Sequence, residues 1–230
     1  MRTLIVGDVH GCAEELGELL SAVHFVVGRD RLLLTGDAFA RGPDPLGVWQ
    51  RICECRAEMV LGNHDVRLRQ QLGDLLQGND PGRTKPDQRY ALRQLEPVQD
   101  ALHAWLEALP LYIDNTAFLL VHAGINPERG LTGTSADEFV AIRTWPPVKD
   151  SIEGPRWHDF YAPSDHPLLV FGHDAPGGLV VKRHKRRVYL LGLDTGCVYG
   201  GALTGYVLEE NSLVRVASRQ APDAWQQRDA

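Results

Sequence analysis

Five short apolar runs in this chain each stop at a polar cluster built from Asp, His and Asn, residue types that bind divalent metals. Leu4-Ile5-Val6 runs into Gly7-Asp8-Val9-His10-Gly11, Leu32-Leu33-Leu34 into Gly36-Asp37, and Met59-Val60-Leu61 into Gly62-Asn63-His64-Asp65. Phe118-Leu119-Leu120-Val121 ends in His122-Ala123-Gly124, and Leu168-Leu169-Val170-Phe171 in Gly172-His173. Carboxylate, imidazole and amide oxygen form a borderline-hard donor set suited to Mn, Fe, Co or Zn, and Asp37 can give one oxygen to each of two ions. Asp8, His10 and Asp37 would hold one ion, and Asp37, Asn63, His122 and His173 the other. Two ions about 3.5–4 Å apart clamp the attacking and leaving oxygens of an in-line displacement. The implied reaction class is hydrolysis of a phosphoester or phosphoanhydride.

Those clusters need strands to present them. Residues 4–6 are a short, wholly apolar run suited to a strand buried on both faces, and 31–34 and 58–61 read as the second and third strands. Between them lie helical spacings at 13–23 and after Pro43-Asp44-Pro45, where proline opens a helix without losing a bond. Alternation at this pace predicts a parallel or mixed sheet with helices outside and a site at the carboxyl ends of its strands. No G-x-G-x-x-G follows the first strand, so a dinucleotide-binding start is not indicated. Helices are expected at 64–76, 88–95 and 98–109, forming a small cap beside the site, with Arg83 and Lys85 in the loop before the second. Residues 125–164 are rich in Gly and Pro and hold one convincing helix, 136–143. The remainder reads as strands at 168–171, 179–182, 188–193, 202–208 and 213–217, with turns short enough for antiparallel pairing.

With 230 residues, 43% of them hydrophobic, the chain can bury one sizeable core. A single domain is expected over 1–220, followed by a mobile tail, 221–230, with little to bury. A formal net charge of −6 argues against bulk nucleic-acid binding, and no specific DNA binding is expected. No apolar run reaches the ~18 residues of a spanning helix, and no leader pattern precedes the first strand; the expectation is a soluble protein of the cytoplasm with no membrane partner. Cys12, Cys53, Cys55 and Cys197 make no C-x-x-C pair and are read as reduced thiols, Cys197 near the site but outside the metal set. The basic run 182–187 reads as a solvated hairpin tip. His24, His103, His158, His166 and His184 lie outside the motifs and are read as ordinary surface or core histidines.

Taken together and in order, the five polar clusters resemble the calcineurin-like metallophosphoesterase signature. Within that superfamily the chain most resembles the symmetrical diadenosine tetraphosphate hydrolases, a bacterial branch related to the serine/threonine phosphoprotein phosphatases. The likeness covers most of the chain and includes Ala40-Arg41-Gly42-Pro43, Lys85-Pro86, Leu109-Pro110, His122-Ala123-Gly124-Ile125 and Asp194-Thr195-Gly196-Cys197-Val198-Tyr199-Gly200-Gly201 with Leu203-Thr204. It implies an α/β fold, a four-layer α-β-β-α metallophosphoesterase sandwich with a small helical cap. It further implies two divalent ions, with Mn ahead of Co, Ni, Fe or Zn, and symmetrical cleavage of diadenosine tetraphosphate to two ADP by a metal-activated hydroxide. A serine/threonine or broad phosphoprotein phosphatase and an enzyme removing nucleoside-polyphosphate caps from RNA are the alternatives, with a phosphoprotein or capped RNA as partner in place of a small nucleotide.

By the same resemblance His64 stands over the leaving-group oxygen as proton donor or charge stabiliser, joining Asp37 and Arg41 as catalytic residues. Arg41 and Arg143 would grip phosphate, and Lys85 and Tyr199 would contact the substrate. Ala40 occupies the place where the phosphoprotein phosphatases carry an aspartate that orients this histidine; the tetraphosphate hydrolases are similar to this chain in having alanine. Those hydrolases carry a longer insertion within 125–164. Trp145, Trp157, Phe160 and Tyr161 are read as packing residues rather than an adenine platform.

Overall fold

The computed structural model describes residues 1–148, 151–162 and 167–226. Its first half winds as the sequence pattern predicts. Strand β1 (Thr3–Val6), helix α1 (Ala13–Ala22), β2 (Arg31–Leu34), α2 (Pro45–Cys55) and β3 (Glu58–Met59) follow one another, and the three strands pair in parallel. Asp44 caps α2, its Oδ1 accepting from the Gly47 N–H at 2.7 Å, and Pro45 takes the first turn. Three helices follow, α3 (Asn63–Leu76), α4 (Pro86–Leu95) and α5 (Gln99–Glu107). The second half adds β4 (Tyr112–Asp114), β5 (Phe118–Val121), α6 (Ala136–Ala141), β6 (Leu168–Phe171), β7 (Val180–His184), β8 (Arg187–Gly192), β9 (Ala202–Val207) and β10 (Ser212–Ala217).

Two five-stranded sheets result, ordered β10-β9-β1-β2-β3 and β4-β5-β6-β8-β7. The period-two alternation of side chains decides the layering. Ile5 and Leu33 point into the core between the sheets, where they meet Phe118, Leu120, Leu168 and Val170. Their neighbours Leu4, Val6, Leu32 and Leu34 face the other way, toward Leu16, Leu19, Val48 and Ile52 of α1 and α2. On the second sheet Leu119, Val121, Leu169 and Phe171 turn outward to Phe139, Ile142 and Trp157. The α-β-β-α order is thus present, although the outermost layer is thin, one six-residue helix and an irregular segment. Helices α3 to α5 contribute Leu68, Leu72, Ala91, Leu95, Leu102 and Leu106 to the same core as α1 and α2. They form a cap continuous with the sandwich, and the Tyr90 hydroxyl on α4 donates to the Pro43 carbonyl at 2.7 Å.

Several expectations shift. Helix α6 stops two residues early because Ile142 is already extended (φ −63°, ψ 131°). The short edge strand β4, paired antiparallel with β5, went unread because its residues alternate too briefly to register. The later strands do not form one antiparallel set: β7–β8 and β9–β10 are antiparallel hairpins, yet β6 runs parallel to β5 and β8, and β8 and β9 belong to different sheets. The run 182–187 does form a hairpin tip, with Lys185 and Arg186 both at positive φ and exposed, and Lys182 is drawn to the His158 carbonyl and to Asp159.

Residues 221–226 of the tail are described. Trp225 is half-buried, packs on the first core and meets Tyr199 edge to face at 6.0 Å between ring centroids, so one aromatic side chain gives residues 221–226 something to bury. His166 and residues 227–230 lie outside the described residues. Of the four aromatics expected to pack, Trp157 is 1% exposed and donates its indole N–H to the Ala123 carbonyl, whereas Phe160 is 51% exposed.

Candidate metal centre

All six residues expected to bind metal converge where the two sheets' carboxyl-terminal strand ends meet. Asp8 and His10 follow β1, Asp37 follows β2, Asn63 opens α3, His122 follows β5 and His173 follows β6. The ligand atoms of Asp8, His10 and Asp37 lie within 4.8 Å of one another, and so do those of Asp37, His122 and His173. Asp37 is common to both triads. Its Oδ2 lies 3.7 Å from His10 Nε2 and 3.6 Å from His122 Nε2, while its Oδ1 accepts from the backbone N–H of His64 at 2.9 Å.

Local backbone explains how a carboxylate is held there. Asp37 sits at φ 51°, a left-handed conformation unusual for a non-glycine residue. Asp65 fixes it: its Oδ2 accepts from the backbone N–H of Asp37 at 2.6 Å and of Gly62 at 3.0 Å. Two motif glycines are required by close approach. A Cβ at Gly62 would overlap Asp37 Oδ1, and a Cβ at Gly172 would overlap Asp8 Oδ1. Asp8 in turn accepts from Thr35 Oγ1 at 2.8 Å and from the His173 backbone N–H through both oxygens, at 3.2 and 3.1 Å.

The donor set fits a pair of divalent ions on the structure's own terms. His122 Nδ1 lies 2.8 Å from the Thr35 carbonyl, which can only accept, so Nδ1 carries the ring proton and Nε2 presents its lone pair. That lone pair faces Asp37 Oδ2 at 3.6 Å and the Asn63 side-chain oxygen at 3.2 Å, a concentration of acceptors that a cation resolves. Burial pushes the Asp37 carboxyl up to about 7, against the His64 N–H and the nearby Arg41 guanidinium, which both pull it down. Burial also raises Asp65 to about 7, with Asp37 adding to it, and Asp194 to about 6. His10, His64 and His173 are driven well below the ordinary imidazole value, first by burial and then by neighbouring positive charge. Bound metal ions would bring the raised carboxyl groups back down, and unprotonated imidazole is the form that ligates them.

Around this floor stands a rim of cations. Arg41 donates to the Tyr199 hydroxyl and its guanidinium lies over two rings, 5.5 Å from the Tyr199 centroid and 5.4 Å from that of Trp225. Arg143 follows α6 and places Nη2 3.0 Å from His173 Nε2 and 3.2 Å from the His173 carbonyl oxygen. Its Nε is ion-paired with Asp174 at 3.2 Å, and Asp174 is also bound by Arg156 Nε at 2.6 Å. His64, half-buried at the start of α3, has its ring 5.2 Å from that of His10. Lys85 is exposed at the start of α4, close enough for its charge to act on His64.

Sequence reasoning assigned no role to Thr35, Asp65, Asp174, Asp194, Arg156 or Trp225. Asp65 and Asp194 stood inside quoted motifs, so the signal was there. Thr35 sits directly at a strand end, whereas Asp174, Arg156 and Trp225 gave no local sign.

Comparison with known proteins comes to the same place. Residues 1–199 match the family profile described as calcineurin-like phosphoesterase. A "Bis(5'-nucleosyl)-tetraphosphatase, symmetrical" of Edwardsiella ictaluri is 30% identical over 282 aligned residues, covering 96% of this chain and 98% of the relative. The protein of the same description from Actinobacillus pleuropneumoniae serotype 5b is 32% identical over 89% of this chain and 94% of its own. An alignment of 282 residues against a chain of 230 means that the Edwardsiella relative carries stretches this chain lacks. Among solved structures, one provisionally assigned as a diadenosine tetraphosphatase superposes with a TM-score of 0.76 at 30% identity, over 94% of this chain and 93% of that one. A protein serine/threonine phosphatase from Saccharomyces cerevisiae shares the fold, with a TM-score of 0.54 at 16% identity over 96% and 80% of the two chains.

Proposed function

The chain belongs to the calcineurin-like phosphoesterase family, and from that premise we propose that this hydrolase splits diadenosine tetraphosphate symmetrically into two ADP at a dinuclear centre loaded with manganese. The observation that carries the reading is Asp37, a single carboxylate shared by two ligand triads beneath a rim bearing two guanidinium groups. The nearly full-length likeness to relatives named as symmetrical tetraphosphatases supports the substrate class.

In this reaction the oxygen of water bonds to one of the two inner phosphorus atoms, the central anhydride bond breaks, and the bridging oxygen leaves on the second ADP. Two divalent ions, when bound, activate the water and neutralise charge on the phosphoryl oxygens. The chain's own residues do the rest. Asp8, His10, Asp37, Asn63, His122 and His173 would hold the ions, with Thr35 and Asp65 fixing the His122 ring and the Asp8 and Asp37 segments in place. Arg41 and Arg143 bind phosphoryl oxygens, Arg41 oriented by Tyr199 and Trp225, and Arg143 by Asp174. His64 stands at the leaving oxygen. Burial and the Arg41 guanidinium hold its imidazole well below the ordinary value; a polyanionic substrate beside it opposes that shift. Lys85 reaches the outer phosphates. Ala40 suits this leaving group, since a nucleoside diphosphate depends less on a strong proton donor than the alkoxide of a phosphoserine does.

A cytoplasmic location accords with the exposed thiol of Cys53 and with four cysteines that form no disulfide. Among the described residues no helix is long and apolar enough to cross a membrane.

The test is product analysis with diadenosine tetraphosphate, a phosphoserine peptide and a capped RNA, each with Mn, Co, Ni and Mg in turn. ADP as sole product, formed at least about tenfold more efficiently than the peptide is dephosphorylated, is the expected result. AMP with ATP, or a preference for the peptide or the RNA, would overturn it.

A further inference from the structure

A second group of residues of metal-ligating type lies outside the dinuclear centre and shares no residue with it. Cys12 immediately precedes α1, Glu15 is in its first turn, and Cys197 opens the short 3-10 turn Cys197–Tyr199. Their exposures are 0%, 0% and 2%, and one ligand atom from each falls within 4.8 Å of the other two. Ligands around a tetrahedral zinc ion, at bonds of about 2.0–2.3 Å, stand roughly 3.3–3.8 Å apart, a spacing this cluster reaches with small side-chain adjustments.

Two thiols in a core need no explanation by themselves; the carboxylate does. Glu15 Oε1 accepts from the Arg219 backbone N–H at 2.9 Å and from Gln220 Nε2 at 3.2 Å, but Oε2, fully buried, has no hydrogen-bond partner. The Arg219 guanidinium is spent elsewhere, pairing with Glu14 and Glu18 on the exposed side of α1. A buried carboxylate oxygen left without donor or cation is costly, and a divalent ion between Oε2 and the two sulfurs removes that cost.

We propose that Cys12, Glu15 and Cys197 bind one thiophilic divalent ion of the zinc class. Two thiolates and one carboxylate select zinc-like over magnesium- or calcium-like ions. Binding displaces two thiol protons to solvent and forms two metal–sulfur bonds and one metal–oxygen bond, with no change of oxidation state. The ion ties the loop that presents Asp8 and His10 to the turn that carries Tyr199, and so couples the floor of the dinuclear centre to the residue that holds Arg41.

The experiment uses the full-length reduced protein, stripped by chelator and titrated with Co(II). The dinuclear centre offers only oxygen and nitrogen, so a thiolate-to-cobalt charge-transfer band in the near ultraviolet cannot come from it, and the cysteine variants assign the band. We expect the band in wild type, its loss in Cys12→Ser and in Cys197→Ser with one fewer zinc ion per chain than wild type, and its retention in Cys53→Ser. Glu15→Gln should weaken the cobalt affinity by at least about tenfold, since loss of even an outer partner of a metal ligand costs about 10–100-fold. Absence of the band from folded, reduced wild type overturns the proposal without recourse to any variant. A band that survives Cys197→Ser but vanishes in Cys53→Ser, or unchanged affinity in Glu15→Gln, overturns it equally.

Discussion

The floor of the dinuclear centre and its rim are built by opposite means. Every floor residue lies within a few positions of a strand end, and main-chain groups help to hold three of them: Asp37 by the His64 N–H, Asp8 by the His173 N–H, His122 by the Thr35 carbonyl. The rim is assembled by side chains from distant parts of the chain. Arg41 is held by Tyr199 and Trp225, and Arg143 by Asp174, itself held by Arg156. The difference teaches where tolerance lies. A floor fixed by backbone bonds and by glycines with no room for a methyl group permits no substitution that changes charge or volume, whereas a rim fixed by stacking and ion pairs can lose one support and keep the other.

The comparison predicts a descending series of effects. Asp37→Asn should abolish turnover and lower the bound metal content, because a neutral amide cannot give negative charge to two ions; metal analysis beside kinetics checks this. Two ions retained with near-normal turnover would break the bridging assignment. His64→Ala, directly beside the floor but not part of it, should keep its metal and lose rate by about 10²–10⁴-fold, as positioned acid–base groups do. Loss of metal from that variant would move His64 into the floor.

At the rim Arg41→Ala should cost about 10²–10³-fold in kcat, the scale of removing one preorganised donor to a developing charge. Wild-type kinetics in that variant would make Arg41 a surface residue. Trp225→Ala should have the smallest effect, about two- to fivefold in kcat/KM. A cation–π contact that keeps much of its solvent is worth about 0.5–1 kcal/mol, and the Tyr199 contact remains. Trp225→Phe should recover most of the loss. If Trp225→Ala matches Arg41→Ala in severity, the rim has no redundancy and the contrast fails.

The same contrast explains what could be read from the chain. Asp8, His10, Asp37, Asn63, His122 and His173 were legible because each ends an apolar run, and a strand end is a local pattern. Helices α3 to α5 were legible from their 3.6-residue spacing, and Asp65 was at least in view because it shares a motif with Asn63 and His64. Strand β4, the early end of α6 and the separation of β8 from β9 were not, since edge pairing and sheet membership depend on partners far along the chain. Trp225, Asp174 and Arg156 stayed hidden for the same reason, and a lone Trp in a polar tail carries no period to read.

What the sequence determined by itself is the donor set and its place at strand ends, because apolar runs set the strands and glycines set the turns that follow them. What only the tertiary structure decided is which side chains brace the two arginines, and that Cys12, Glu15 and Cys197 meet. Those are distances between segments up to about two hundred residues apart, and they are fixed by how two sheets pack through Ile5, Leu33, Leu120 and Val170, which no local window contains.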